Sequence, residues 1–193
     1  MYIKEGFILV MMLCLFSAEA QKKAAKGNLV VNAQLALLNG DDETDGQITL
    51  TPGYGFKNWV IGAGTGFDYY KYRTVPVFAD VKRYFGTGSR KMFVYGNIGL
   101  DVPWPTSEQK MYRNSWWGAS ESRFKNGVYT DVGFGYTLFS NKNRGFFAAA
   151  GYSTKMLTEI YQEGIWNGTT TIQTTRSLEY TMNRFLFRVG YKF

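Results

Sequence analysis

Nine charged residues recur at alternate positions of strand-like segments: Asp68, Asp80, Asp101 and Asp131 against Lys82, Lys155, Arg184, Arg188 and Lys192. Carboxylates and cations that face one confined space can do two things. They neutralise each other and fill the space, or they pass protons or ions along it. Acid–base catalysis is harder to build, because the chain holds no His and a His general base is unavailable. Ser153 and Lys155 share a strand face, but adjacency alone makes no nucleophile–base pair. Asp41, Asp42, Glu43 and Asp45 offer oxygen ligands suited to Ca²⁺ or Mg²⁺. Their spacing does not follow the EF-hand pattern, and a solvated acidic loop accounts for them. No cofactor is implied. The last constellation is aromatic and basic. Between Pro103 and Lys125 stand Trp104, Met111, Tyr112, Trp116 and Trp117, with Lys110, Arg113 and Arg123 against Glu108 and Glu121. Trp and Arg are frequent interface anchors, so Trp104, Tyr112, Arg113, Trp116 and Trp117 are candidate binding residues. An aromatic belt at headgroup level is the alternative. Tyr161, Trp166 and the Thr169–Thr171 run could complete the same surface.

The elements that must position these residues are strands, because the pattern has period 2. Phe185, Phe187, Val189, Tyr191 and Phe193 share one face, and Arg184, Leu186, Arg188, Gly190 and Lys192 the other. Nine residues at roughly 3.3 Å each, tilted about 40°, cover on the order of 23 Å, close to the apolar band of a membrane-spanning barrel. Seven more such segments lie upstream, over residues 29–37, 48–56, 59–69, 75–84, 92–102, 128–138 and 146–156. The connections alternate in length. Lys57-Asn58, Gly86–Lys91 and Ser140–Arg144 are short, whereas Leu38–Gly46, Pro103–Lys125 and about Glu159–Arg176 are longer, with Lys71–Thr74 the exception. Short turns on one side and longer loops on the other mark such a barrel, and an even strand number allows closure. The expected fold is all-β, a closed antiparallel eight-stranded transmembrane β-barrel. Pro52, in mid-strand, predicts a local bulge. Counted from the strand ends, Asp80 and Arg188 fall at one height on opposite walls. An Asp80–Arg188 pair across a narrow, side-chain-filled lumen is therefore expected.

Composition agrees. Aromatic residues make up 18% of the 193 residues and Gly occurs 22 times, while mean hydropathy is −0.23. Beyond the N-terminus no apolar run reaches the roughly 18 residues of a spanning helix. Residues 1–20 read as a signal peptide: Lys4, an apolar core from Phe7 to Phe16, and Ala18-Glu19-Ala20 ahead of cleavage before Gln21. Residues 21–193 form the barrel domain. Cleavage removes Cys14 and raises the formal charge from +7 to +8. That charge suits anionic headgroups or the phosphates of an outer leaflet. The basic residues are too scattered for a nucleic-acid surface. Aromatics at the strand ends form two belts. Phe56, Trp59, Phe85, Phe139 and Phe193 stand at the turn side, and Tyr69, Tyr72 and Trp104 at the loop side.

The closing stretch with its terminal Phe193 resembles the C-terminal signal read by the barrel-assembly machinery, carried by Phe185, Phe187, Val189, Tyr191 and Phe193. The stretches Thr51–Gly64 and Val75–Phe85 resemble small outer-membrane β-barrel proteins of Bacteroidetes-type bacteria, themselves similar to OmpA/OmpX-like eight-stranded barrels. The resemblance covers nearly the whole mature chain. It implies an outer-membrane location, contact with lipid and lipopolysaccharide, and passage through the assembly machinery. Three functions follow as expectations. The first is a non-enzymatic barrel that is structural or presents loops to an extracellular protein or glycan. The second is a narrow channel, and the third a membrane-embedded lipid- or protein-modifying enzyme.

Overall fold

The structure, a computed structural model, describes residues 27–40, 43–86, 88, 90–107, 109, 122–141, 144–166 and 168–193. The 1–20 segment with Cys14 lies outside the described residues. So do Asp41, Asp42, Glu108, Lys110, Met111, Tyr112, Arg113, Trp116, Trp117 and Glu121.

Nine strands follow one another: β1 (Asn28–Gly40), β2 (Thr44–Phe56), β3 (Trp59–Asp68), β4 (Thr74–Phe85), β5 (Met92–Pro103), β6 (Arg123–Lys125), β7 (Gly127–Asn141), β8 (Arg144–Trp166) and β9 (Thr171–Lys192). Each long strand pairs antiparallel with its sequence neighbour, and β5 pairs with β7 past the short β6. The last strand pairs with β8 from Gly145↔Lys192 to Trp166↔Thr171 and with β1 from Asn32↔Lys192 to Gly40↔Arg184. Hydrogen bonding therefore runs in a ring of eight strands, which satisfies the edges that an open sheet leaves unpaired. The three-residue β6 lies across β8, opposite Thr158–Ile160.

Alternation decides the faces. Leu35, Leu37, Ile98, Leu100, Phe134, Phe185 and Phe187 stand exposed on the outside, while Asn32, Gln34, Asp80, Asn97, Asp131 and Arg188 are buried within. Inward glycines make room for inward rings. A Cβ at Gly135 would strike the Phe93 ring, and one at Gly190 the Phe147 ring. Gly190→Leu is expected to cost about 1–3 kcal/mol through overpacking, read as a lower urea midpoint. An unchanged midpoint would mean that the ring swings clear.

Three expectations are corrected. The Glu159–Arg176 segment is not a loop, because β8 and β9 continue as a paired ribbon to Trp166↔Thr171. Leu157, Glu159 and Tyr161 are buried on its inward side. Its outward residues include the exposed Thr175, Ser177 and Glu179, so the polarity contrast that marks a strand fades while backbone pairing persists. Pro52 makes no bulge. It stays in register with Val31, and the ladder to β3 omits Thr51 and Pro52 before resuming unshifted at Gly53↔Gly62. One missing N–H costs a rung without requiring an inserted residue. The register shift lies instead on β7, between Thr137 and Phe139. Finally, Tyr72 is no outward belt residue. It packs inside the loop end against Phe124 and Tyr180, with ring centroids 5.0 and 5.3 Å away.

Candidate functional site

The interior is built in layers. Nearest the loops, Glu159 accepts hydrogen bonds from Ser122 (2.5 Å) and Tyr180 (2.7 Å). Leu38, Tyr70, Leu157, Met182 and Leu186 form an apolar cluster, with Met182 one inward position loop-ward of Arg184 on β9 and Leu186 one turn-ward. The first charged cluster is set among them. Asp68, at the end of β3, receives Arg184 Nη1 at 2.6 Å and Lys155 Nζ at 3.1 Å. Gln47 Nε2 (3.2 Å) and the Tyr70 amide (3.0 Å) also donate to its carboxylate. Lys155 Nζ reaches the carbonyls of Tyr70 and Tyr72 at 2.9 and 2.8 Å. Its ammonium thus ties the short Lys71–Thr74 connection to β8. Arg184 Nη2 donates to Ser153 Oγ at 3.0 Å. Ser153 and Lys155 are therefore engaged by different partners and are not paired with each other.

The second cluster centres on Asp131 of β7. Its Oδ2 accepts from Arg188 Nη2 (2.5 Å), Asn97 Nδ2 (3.2 Å) and the Tyr129 hydroxyl (3.3 Å). Tyr129 joins the clusters, since Gln47 Nε2 also reaches its oxygen at 3.3 Å. Asp80 and Lys82 pair at 3.4 Å on one strand. Asp101 is fully buried among these charges, and neither of its carboxylate oxygens has a hydrogen-bond partner among the described residues. Beneath lies an aromatic layer of Phe93, Tyr95 and Phe147 with Tyr84 packed against it. A mouth of about 320 Å³ opens below at the turn end, lined by Lys57, Trp59, Lys91 and Lys192 among others.

The expected Asp80–Arg188 pair is thus corrected. Arg188 takes Asp131, and Asp80 takes Lys82, two residues along its own face. Hydrogen-bonded neighbours in a tilted ring are staggered, so counting from strand ends misplaces partners across it. Asp68, Asp80, Lys82, Asp101, Asp131, Lys155, Arg184 and Arg188 are all at most 3% exposed. Three of the four acids, Asp68, Asp80 and Asp131, pair with the four bases, and charges so paired can fill and rigidify a narrow space. Tyr129, Gln47 and Asn97 escaped sequence reasoning as partners, although their strand parity marks them as inward.

Of the candidate loop residues only Trp104 is described. It is 50% exposed, with the Arg73 guanidinium 4.4 Å above its ring and Phe67 at 5.8 Å. Glu43 and Asp45 are described without their acidic neighbours, and among the described residues no three acidic side chains converge as a metal site requires. Phe185, Phe187 and Val189, from the proposed assembly signal, face outward at 62%, 63% and 58% exposure. Tyr191 stacks edge-on against Phe146 and Phe193, each at 4.8 Å.

No family model matches the chain, and no curated protein matches it. Solved structures do. The chain is similar to Neisserial surface protein A, with 13% identity over 87% of this chain and 98% of that one and a TM-score of 0.56. It is also similar to the outer membrane protein OprG from Pseudomonas aeruginosa, with 16% identity over 90% and 98% and a TM-score of 0.53. At such identities the likeness is one of fold: an all-β antiparallel ring of the small outer-membrane barrel kind.

Proposed function

We propose that this chain is a non-enzymatic outer-membrane β-barrel whose closed wall crosses the bilayer, whose lumen is plugged, and whose loop end is offered to partners outside the cell. One observation carries the reading: polarity is inverted relative to a water-soluble barrel. Charged side chains are sealed within, and Leu, Ile, Val and Phe stand exposed around the outside. Such a surface is stable only against an apolar medium. A soluble lipid-binding barrel needs the reverse arrangement.

In this reading residues 1–20 are the cleaved export signal, and the last strand carries the assembly signal. The short turns lie in the periplasm, and lipopolysaccharide meets the loop end. The likeness to barrels of Bacteroidetes-type bacteria belongs to the same proposal. Trp104, stacked under Arg73, begins a binding surface for an extracellular protein or glycan that Tyr112, Arg113, Trp116 and Trp117 would extend. The separate engagement of Ser153 and Lys155 supports the non-enzymatic reading. The apolar side chains packed among the charges and the aromatic cluster beneath them support a plug over a channel.

Two measurements test this. Unheated protein in detergent gels is expected to migrate differently from boiled protein and to fractionate with outer membranes. Identical migration and a soluble fraction would end the membrane reading. Planar bilayers holding the wild-type protein are expected to stay electrically silent, and discrete conductance steps would favour the channel instead.

A further inference from the structure

The two ends of the ring differ in charge. At the loop end acids and bases mix: Glu43, Asp45, Glu159 and Glu179 stand with Lys71, Arg73, Arg123, Lys125 and Arg176. At the turn end stand Lys57, Arg83, Arg90, Lys91, Arg144 and Lys192, and no Asp or Glu accompanies them among the described residues. The turn sequences 57–58, 86–91 and 140–145 contain no acidic residue either. An interfacial ring of balanced charge would not sort itself this way.

A built feature sits on this face. Arg90, before β5, and Arg144, opening β8, line one surface pocket of about 440 Å³ with Leu138, Phe139, Phe146 and Tyr191. The register shift between Thr137 and Phe139 explains its floor. An extra residue in β7 turns two consecutive side chains outward, and Leu138 and Phe139 are 40% and 69% exposed. Bulges re-aim side chains in this way beside functional sites. The pocket therefore has an apolar half continuous with the outer wall and a cationic half at its edge. Guanidinium groups suit phosphate oxygens, which they grip through paired N–H donors.

We infer that this pocket is a binding site for one anionic phospholipid of the leaflet at the turn end. Arg90 and Arg144 hold the headgroup phosphate, and an acyl chain lies on Phe139 and Phe146. The inference rests on the membrane reading above and adds the ligand class and its place.

The test uses the full mature protein reconstituted in phosphatidylcholine vesicles with spin-labelled phosphatidylglycerol or spin-labelled phosphatidylcholine as probe. Electron spin resonance reports the motionally restricted lipid. Wild type is expected to prefer phosphatidylglycerol, on the order of five-fold for each arginine at low salt. Arg90→Gln with Arg144→Gln is expected to abolish that preference. Arg123→Gln with Lys125→Gln, the same charge change at the loop end, is expected to keep it. Heat-dependent gel migration verifies that each variant is folded. Inorganic phosphate that fails to displace the probe supports a whole lipid as ligand, and full displacement would overturn it in favour of a free anion. Equal restriction of both probes by wild type, or a preference unchanged in the Arg90/Arg144 variant, overturns the site alone. Binding of poly-glutamate without lipid preference would assign the face to an acidic polymer and overturn it too. No restricted component with either probe would remove the membrane reading beneath it.

Discussion

Asp68→Ala is expected to lower the unfolding free energy by about 3–5 kcal/mol, the usual cost of stripping one partner from a buried ion cluster. Asp68 is 1% exposed and holds both Arg184 and Lys155, at 2.6 and 3.1 Å. Its removal leaves two cations in an interior that water reaches poorly. Lys155 keeps the Tyr70 and Tyr72 carbonyls, and Arg184 keeps Ser153, but neutral acceptors do not replace the lost charge. Lys155→Met should cost less, since Asp68 then keeps Arg184. Joint replacement of Asp68, Lys155 and Arg184 by Leu, Met and Met, together with Asp101→Asn, should recover much of the loss, because no buried charge is left without its partner. The measurement is the urea midpoint of protein folded into lipid vesicles. An Asp68→Ala midpoint equal to wild type would refute the cluster as a source of stability.

Asp131→Ala is expected to destabilise by a comparable amount, about 3–5 kcal/mol, and yet to leave planar bilayers silent. Asp131 accepts from Arg188, Asn97 and Tyr129, so its loss strands one guanidinium and two neutral donors. It opens no path, because the seals lie elsewhere. Above stand Leu38, Leu157, Met182 and Leu186, and below Phe93 meets Phe147 edge-on at 5.6 Å. Asp80→Ala should be silent for the same reason. Conductance steps in Asp131→Ala would show that the charges, not the apolar layers, close the interior. The Asp68 and Asp131 clusters share Gln47 and Tyr129. Their double variant should therefore depart from additivity by about 0.5–3 kcal/mol.

These expectations divide the work within the ring. Paired charges link strands that face one another across it, and apolar clusters pack beside them. A ring this narrow is filled largely by its inward side chains. The turn-end arginines stand outside this scheme, and lie where the apolar wall gives way to the basic rim.

What the sequence determined by itself is the face of every strand. Successive Cβ atoms point to opposite sides of a strand, so the parity of Asp68, Asp80, Asp131, Lys155 and Arg188 sends them inward wherever the strand lies. The parity of Phe185, Phe187 and Val189 sends them out for the same local reason. Turn positions were legible too, because Lys57-Asn58 and Gly86–Lys91 interrupt the alternation. The ribbon from Leu157 to Tyr180 was harder to read. Its outward residues include Thr175, Ser177 and Glu179 and its inward ones Glu159, so hydropathy carries little contrast, although its Thr, Ile and Tyr favour strands. Partner choice was decided only by tertiary structure. Whether Arg188 meets Asp80 or Asp131, and whether Arg90 and Arg144 share one pocket, depends on tilt, stagger and a single extra residue in β7. Those quantities sum over all eight strands of the ring, and no one segment of sequence contains them.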